Sequence, residues 1–84
     1  MPPTIMIVFC FPDEVEAIMD EYTDWHQEGL QIRFHGTTSK CDDAFIIIEW
    51  SKPIPEKFIR KLQHDDDVSD FIIFDASQVL PVQA

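Results

Sequence analysis

Basic residues are scarce in this sequence, and their scarcity excludes one large class of partner. Six Lys and Arg stand against sixteen Asp and Glu, giving a formal net charge of −10 at pH 7. Proteins that bind nucleic acid or anionic lipid directly do so through clustered Lys and Arg. The composition therefore predicts no direct binding to nucleic acid and no membrane binding, and it favours a basic protein as partner.

Cysteine and glycine are equally rare, with two of each. Two cysteines are too few for a disulfide framework, and their spacing with the three histidines matches no zinc motif. Two glycines cannot form a phosphate-binding loop, and no serine lies in the G-x-S-x-G motif of hydrolases. The carboxylates lie on polar segments without apolar flanks that would raise a pKa. We therefore expect no catalytic residue, no metal site and no cofactor, and a protein that is not an enzyme.

The sequence also lacks an apolar run long enough to cross a bilayer and a recognisable secretion signal at its start. We therefore expect a cytoplasmic protein. Chains of 84 residues bury only about 60% of their extended surface, which is enough for one small core. We place a single domain at residues 1–75 and a C-terminal tail without periodicity at residues 76–84.

Four segments have the composition of strands. Residues 4–11 are apolar at nearly every position, as are residues 43–50 and 71–74 over most of their length, which is typical of strands in the interior of a sheet. Residues 30–35 instead alternate, with Leu30, Ile32 and Phe34 pointing one way. That pattern indicates a strand at an edge of the sheet with one solvated face.

Two segments have the three-and-four spacing of amphipathic helices. The first covers residues 13–28, where Pro12 suits the first helical turn and Gly29 the end. This segment carries seven acidic residues and no basic one. The second begins near Pro55 and turns Phe58 and Leu62 inward, while its outer positions hold half of the basic residues.

The resulting order, β-α-β-β-α-β, resembles the ferredoxin-like α+β arrangement. Right-handed crossovers then predict an antiparallel sheet of order 4-1-3-2 with both helices on one face. The same order is similar to that of ACT-type regulatory domains, which dimerise and sense small metabolites. In those domains the turn between the first strand and first helix usually contains glycine and takes part in ligand binding. Here that turn, residues 11–14, has none, which argues against a ligand at this place.

One face of such a sheet is left without cover. It would expose either the set of Met6, Val8 and Cys10 or the set of Ile5, Ile7 and Phe9, and exposing a contiguous apolar patch of this kind to water is unfavourable. The tail, another protein or an apolar ligand could cover this face. A two-fold contact between identical chains is the commonest way in which a small domain buries such a face. We therefore predict a homodimer. The candidate dimer face comprises Met6, Val8, Ile46, Ile48, Ile72 and Phe74.

The first helix offers the clearest candidate for function. Its acidic residues repeat at intervals of four, so that like charges repel along one ridge. We predict a non-catalytic regulatory module that binds a basic protein surface here, with a nucleic-acid-mimic inhibitor as the narrower version. A small-molecule-sensing domain of the ACT type and a structural subunit of a larger assembly are the alternatives. The predicted partner-binding residues are Glu16, Asp20, Glu21, Asp24 and Glu28.

Overall fold

A computed structural model describes residues 3–37 and 42–75. The predicted tail, residues 76–84, and Cys41 lie outside these ranges. Along the chain the elements are β1 (Thr4–Cys10), a first 3₁₀ turn (Pro12–Glu14), α1 (Val15–Thr23), a second 3₁₀ turn (His26–Glu28), β2 (Leu30–Thr37), β3 (Ala44–Trp50), α2 (Glu56–Gln63) and β4 (Val68–Asp75).

The strands form one four-stranded antiparallel sheet in the order β2-β3-β1-β4. Read from the other edge, this is 4-1-3-2, so the predicted strand order is confirmed. The two strands predicted to be interior, β1 and β3, are the central pair, with Ile7 opposite Ile47. The protein thus has an α+β fold of ferredoxin-like character.

The core lies between the sheet and the two helices. Every second residue of β1 and β3 is buried, and these residues form one cluster with the inner residues of both helices. Phe58 of α2 lies at its centre, with edge-to-face contacts to Tyr22, Trp25 and Trp50 at centroid distances of 5.1, 5.1 and 4.9 Å. Such aromatic pairs add about 0.5–1.5 kcal/mol each beyond the apolar area that they bury.

The first helix is shorter than the sequence pattern predicts, because α1 ends at Thr23. The Thr23 hydroxyl donates to the Asp20 carbonyl oxygen at 2.6 Å, and the chain then passes through a turn into the second 3₁₀ turn. Gly29 ends that turn with φ of +104°, in the left-handed region. A Cβ at Gly29 would lie 2.9 Å from the Lys52 backbone nitrogen, so both conformation and space require glycine.

The alternation predicted for β2 fails after Ile32. The register with β3 shifts between Ile32, which pairs with Ile48, and Phe34, which pairs with Ile47. A β-bulge of this kind inserts one residue and reverses the side on which the following side chains lie. Leu30 and Ile32 therefore contact the core as predicted, whereas Phe34 lies on the opposite face of the sheet.

Candidate functional site

The predicted partner-binding residues occupy α1 and the segment that follows it, and all five are exposed. We call this set the acidic surface: it comprises Glu16, Asp20, Glu21, Asp24 and Glu28. Residues four positions apart on a helix are about 6 Å apart along its axis. Glu16 and Asp20 therefore lie in line along α1, and Asp24 and Glu28 follow in the segment after the helix.

Intramolecular pairing neutralises little of the acidic surface. Glu21 forms an ion pair with Lys61 of α2, with 3.0 Å between Oε1 and Nζ. Within residues 3–37 and 42–75, the other four carboxylates form no ion pair. Arg60 on α2 instead forms an ion pair with Glu56, with 2.8 Å between Nη2 and Oε1. Most of the negative charge of this surface thus faces solvent.

The acidic surface is held in place from beneath. Ile18 and Tyr22 lie on the inner side of α1, and both are fully buried against the sheet and α2. Trp25, just past the helix, packs its ring against Phe58. Since the inner side chains are fixed by the core, the outer carboxylates are carried on a backbone that has little freedom to rearrange.

A shallow depression borders the acidic surface at its C-terminal end. Asp24, Trp25 and Glu28 form one wall, and Lys57 and Arg60 of α2 contribute basic groups to the other. Its volume is about 820 Å³, and it is wide open to solvent. The depression places charges of both signs beside the half-buried Trp25 ring.

The structure corrects four of the six residues predicted for the dimer face. Met6, Val8, Ile46 and Ile48 have no exposed surface, because they lie on the side of the sheet that both helices cover. They pack in the core and are not available to a second chain. The error arose because both sides of β1 and β3 are apolar, so the pattern did not distinguish the inner side from the outer.

The other side of the sheet is the uncovered one, and we call it the open face. The two remaining predicted residues, Ile72 and Phe74, lie there, opposite Ile7 and Ile5 of β1. Phe34 stacks on Phe45 with ring centroids 6.0 Å apart. The apolar residues of the open face are half-buried or exposed. They are Ile5, Ile7, Phe9, Phe34, Phe45, Ile47, Ile72 and Phe74.

Two ionisable groups in the core have perturbed pKa values. Burial, with the nearby carboxylates of Asp43, Asp65 and Asp67, raises the pKa of the Cys10 thiol. Burial also raises the pKa of the Tyr22 hydroxyl, to which Asp65 contributes. A thiol with a raised pKa is a poor nucleophile because little thiolate forms near neutral pH.

The histidines and the acidic loop after α2 form no metal site in the part of the chain that the structure describes. His26 Nδ1 donates to the Leu30 carbonyl oxygen at 3.1 Å, and the residue is exposed. In the loop, the Asp65 carboxylate accepts the Asp67 backbone N–H at 2.9 Å and so stabilises the turn. None of the described helices is long and apolar enough to cross a bilayer.

Comparison with solved structures bears on the fold. The chain is similar to the solution structure of the C-terminal domain of the MgtC protein from Mycobacterium tuberculosis, with a TM-score of 0.62. The similarity covers 93% of this chain and 90% of that domain at 14% sequence identity. No protein-family model matches the chain, and neither does any curated protein sequence. At this identity the likeness establishes a shared fold.

Proposed function

We propose that this protein is a non-catalytic regulatory module that binds a basic protein surface through its acidic surface. The observation that carries the proposal is the set of four exposed carboxylates, those of Glu16, Asp20, Asp24 and Glu28, that form no ion pair among the described residues. A charged surface held on a rigid element accelerates encounter with a partner of opposite sign and selects against partners of like sign.

The energetics of α1 support this proposal. Like charges four residues apart on an exposed helix destabilise it by about 0.2–0.5 kcal/mol per pair, and within α1 this applies to Glu16 and Asp20. A helix selected for stability alone would place lysines among these carboxylates, as α2 places Arg60 one turn after Glu56. A basic partner would supply the missing positive charges and relieve the repulsion. The arrangement on α1 is thus better suited to a complex than to the isolated chain.

The test is affinity capture with a variant that neutralises the acidic surface. Asp20→Asn, Asp24→Asn and Glu28→Gln together should lower capture of the partner at least tenfold and remove most of the salt sensitivity of capture, since exposed charges are screened over about 10 Å at 0.1 M salt. The matched control carries Asp42→Asn, Asp66→Asn and Asp70→Asn, which change the net charge equally at exposed positions outside the acidic surface. Equal loss of capture in both variants, or no loss in either, would refute the proposal.

The narrower version of the proposal is that the acidic surface imitates the phosphate backbone of a nucleic acid. A captured partner that binds DNA or RNA should then release this protein when duplex DNA or RNA is added. Competition should follow the affinity of the nucleic acid for the partner. Formation of a ternary complex would reject the mimic and leave the broader proposal in place.

A second candidate function is ligand sensing in the manner of ACT-type domains, and a specific feature favours it. A depression of about 230 Å³ lies between the start of α1 and the far end of the β2-β3 pair, and Asp13, Glu16 and His35 are among its lining residues. The turn beside it, residues 11–14, lacks the glycine usual in ACT-type domains, so a ligand here would be held by side chains. The ferredoxin-like arrangement of the elements agrees with this reading. Amino acids and nucleotides at millimolar concentration should then raise the melting temperature, because a ligand that binds only the folded state stabilises it. Absence of any shift would argue against sensing.

A further inference from the structure

The open face has the properties of a buried surface without an element of the described chain to bury it. Its apolar side chains run continuously across all four strands, from Phe34 on one edge strand to Ile72 on the other. These two residues are 59% and 47% exposed. Contiguous exposed apolar patches on soluble proteins mark interaction sites.

We propose that a second copy of this chain occupies the open face, so that two sheets pack face to face about a two-fold axis. Charge is the first reason. The described strands contribute to this face one basic residue, Arg33, and two acidic residues, Glu49 and Asp70. The chain as a whole carries −10, so two copies repel through most of their surfaces. On the open face these three side chains sum to a net charge of only −1, so repulsion between two copies is weak there.

Charge complementarity also favours an identical partner over a basic one. Arg33 and Glu49 form an ion pair at 2.8 Å within one chain. A two-fold axis brings a surface against itself, so a face holding both signs can place Arg33 of one copy near a carboxylate of the other. A basic partner would instead be drawn to the acidic surface on α1, on the opposite side of the molecule.

The area available indicates how stable the dimer is. Strands of seven or eight residues, rising about 3.4 Å per residue and spaced about 4.8 Å apart, give a face of about 450 Å² in projection. Stable complexes bury about 800 Å² of accessible surface per partner, and the side chains make that surface larger than the projection. The open face therefore lies near the lower end of the range. We expect a dimer that forms at micromolar concentration and dissociates on dilution.

Two neighbouring residues of β4 provide the matched test. Ile72 lies on the open face opposite Ile7, whereas Ile73 lies on the helix-covered side opposite Met6. Their exposed fractions are similar, 47% and 41%. In sedimentation velocity the wild type should pass from monomer to dimer as concentration rises. Ile72→Lys should weaken the dimer at least tenfold, and Ile73→Lys should leave it within twofold of the wild type.

A wild-type chain that remains monomeric at several hundred micromolar would overturn the proposal and leave the tail or another protein as the cover of this face. Equal effects of the two lysine variants would also overturn it. If Ile72→Lys does not fold, the proposal can still be tested on the wild-type protein by NMR. On dilution, NMR chemical shifts of Phe34, Phe45 and Ile47 should change while those of α1 do not, and changes confined to α1 would contradict the open face as the interface.

Discussion

The two sides of the sheet have nearly the same composition and very different surroundings. On the helix-covered side, Met6, Val8 and Ile46 are completely buried. On the open face their immediate neighbours in sequence, Ile7 and Ile47, are half-buried although they are equally apolar. Hydrophobicity alone therefore does not determine which residues form the core. The position of the helices does, because they can cover only one side of a four-stranded sheet.

The comparison also separates stability from association. The helix-covered side holds the aromatic cluster around Phe58, so substitutions there should act on folding. The side chains of the open face contribute less to the stability of the folded monomer, so substitutions there should mainly change dimerisation. Four predictions follow this division, from the largest expected effect to the smallest.

Phe58→Ala should cause the largest loss of stability. The ring is fully buried among three aromatic rings, and removing such a side chain costs about 3–5 kcal/mol because a cavity remains. Phe34→Ala on the open face should cost about 1 kcal/mol or less, through loss of its stacking on Phe45. Urea denaturation of both variants below the dimerisation range measures the difference. Equal losses would contradict the division between the two faces.

Two neighbouring isoleucines of β3 allow the two sides of the sheet to be compared by removing a single methyl group from each. Ile46→Val should lower the free energy of unfolding by about 0.5–1.5 kcal/mol, since Ile46 has no exposed surface. Ile47→Val should change it by less than about 0.5 kcal/mol at low protein concentration. At concentrations that favour the dimer, the effect of Ile47→Val should grow while that of Ile46→Val stays constant. Urea titrations at two protein concentrations test both statements.

Tyr22→Phe tests the polar atoms of the helix-covered side. Among the described residues the buried Tyr22 hydroxyl has no hydrogen-bond partner, so its removal should change stability by less than about 1 kcal/mol at pH 7. Above pH 10.0, the ordinary pKa of tyrosine, the unfolded chain releases this proton while the folded chain retains it. Wild-type stability should therefore fall in this range.

The Tyr22→Phe variant should lose less stability than the wild type between pH 7 and about pH 10.5, because it has no hydroxyl to ionise at position 22. The Cys10 thiol, whose pKa is also raised, is present in both proteins and so cancels in the comparison. Urea denaturation at the two pH values gives the measurement. Parallel losses in the two proteins would show that the Tyr22 hydroxyl is solvated in the folded state.

The smallest effect concerns the Arg33–Glu49 ion pair of the open face. A double-mutant cycle with Arg33→Ala and Glu49→Ala should give a coupling energy of about 0.2–1 kcal/mol in the monomer, which falls as salt is added. The control is the more exposed Arg60–Glu56 pair on α2, for which we expect about 0.3–0.5 kcal/mol. If the open face is buried in a dimer, the Arg33–Glu49 coupling should increase with protein concentration and that of the control should not.

Local sequence patterns predicted an element correctly where the pattern was compatible with only one kind of structure. The double-sided apolarity of residues 4–11 indicated a central strand, and β1 is central. The helix pattern extended too far because Trp25 continues the apolar spacing beyond Thr23, and the spacing does not reveal that the chain leaves the helix to bring this ring onto Phe58. For the acidic surface the pattern sufficed to place all five residues in solvent, since charged side chains are rarely buried unpaired.

The sequence by itself determined the two amphipathic helices and the sign of the charge on α1, because each follows from periodicity and composition within a short segment. The strand order was predictable only from the order of all six elements together with the rule of right-handed crossovers. The tertiary structure alone decided which side of the sheet is open. That choice depends on the handedness of the crossovers, and the side on which Phe34 lies depends on the bulge in β2, which is a matter of pairing with β3. Contacts between distant segments settled both, and no pattern within one segment records them.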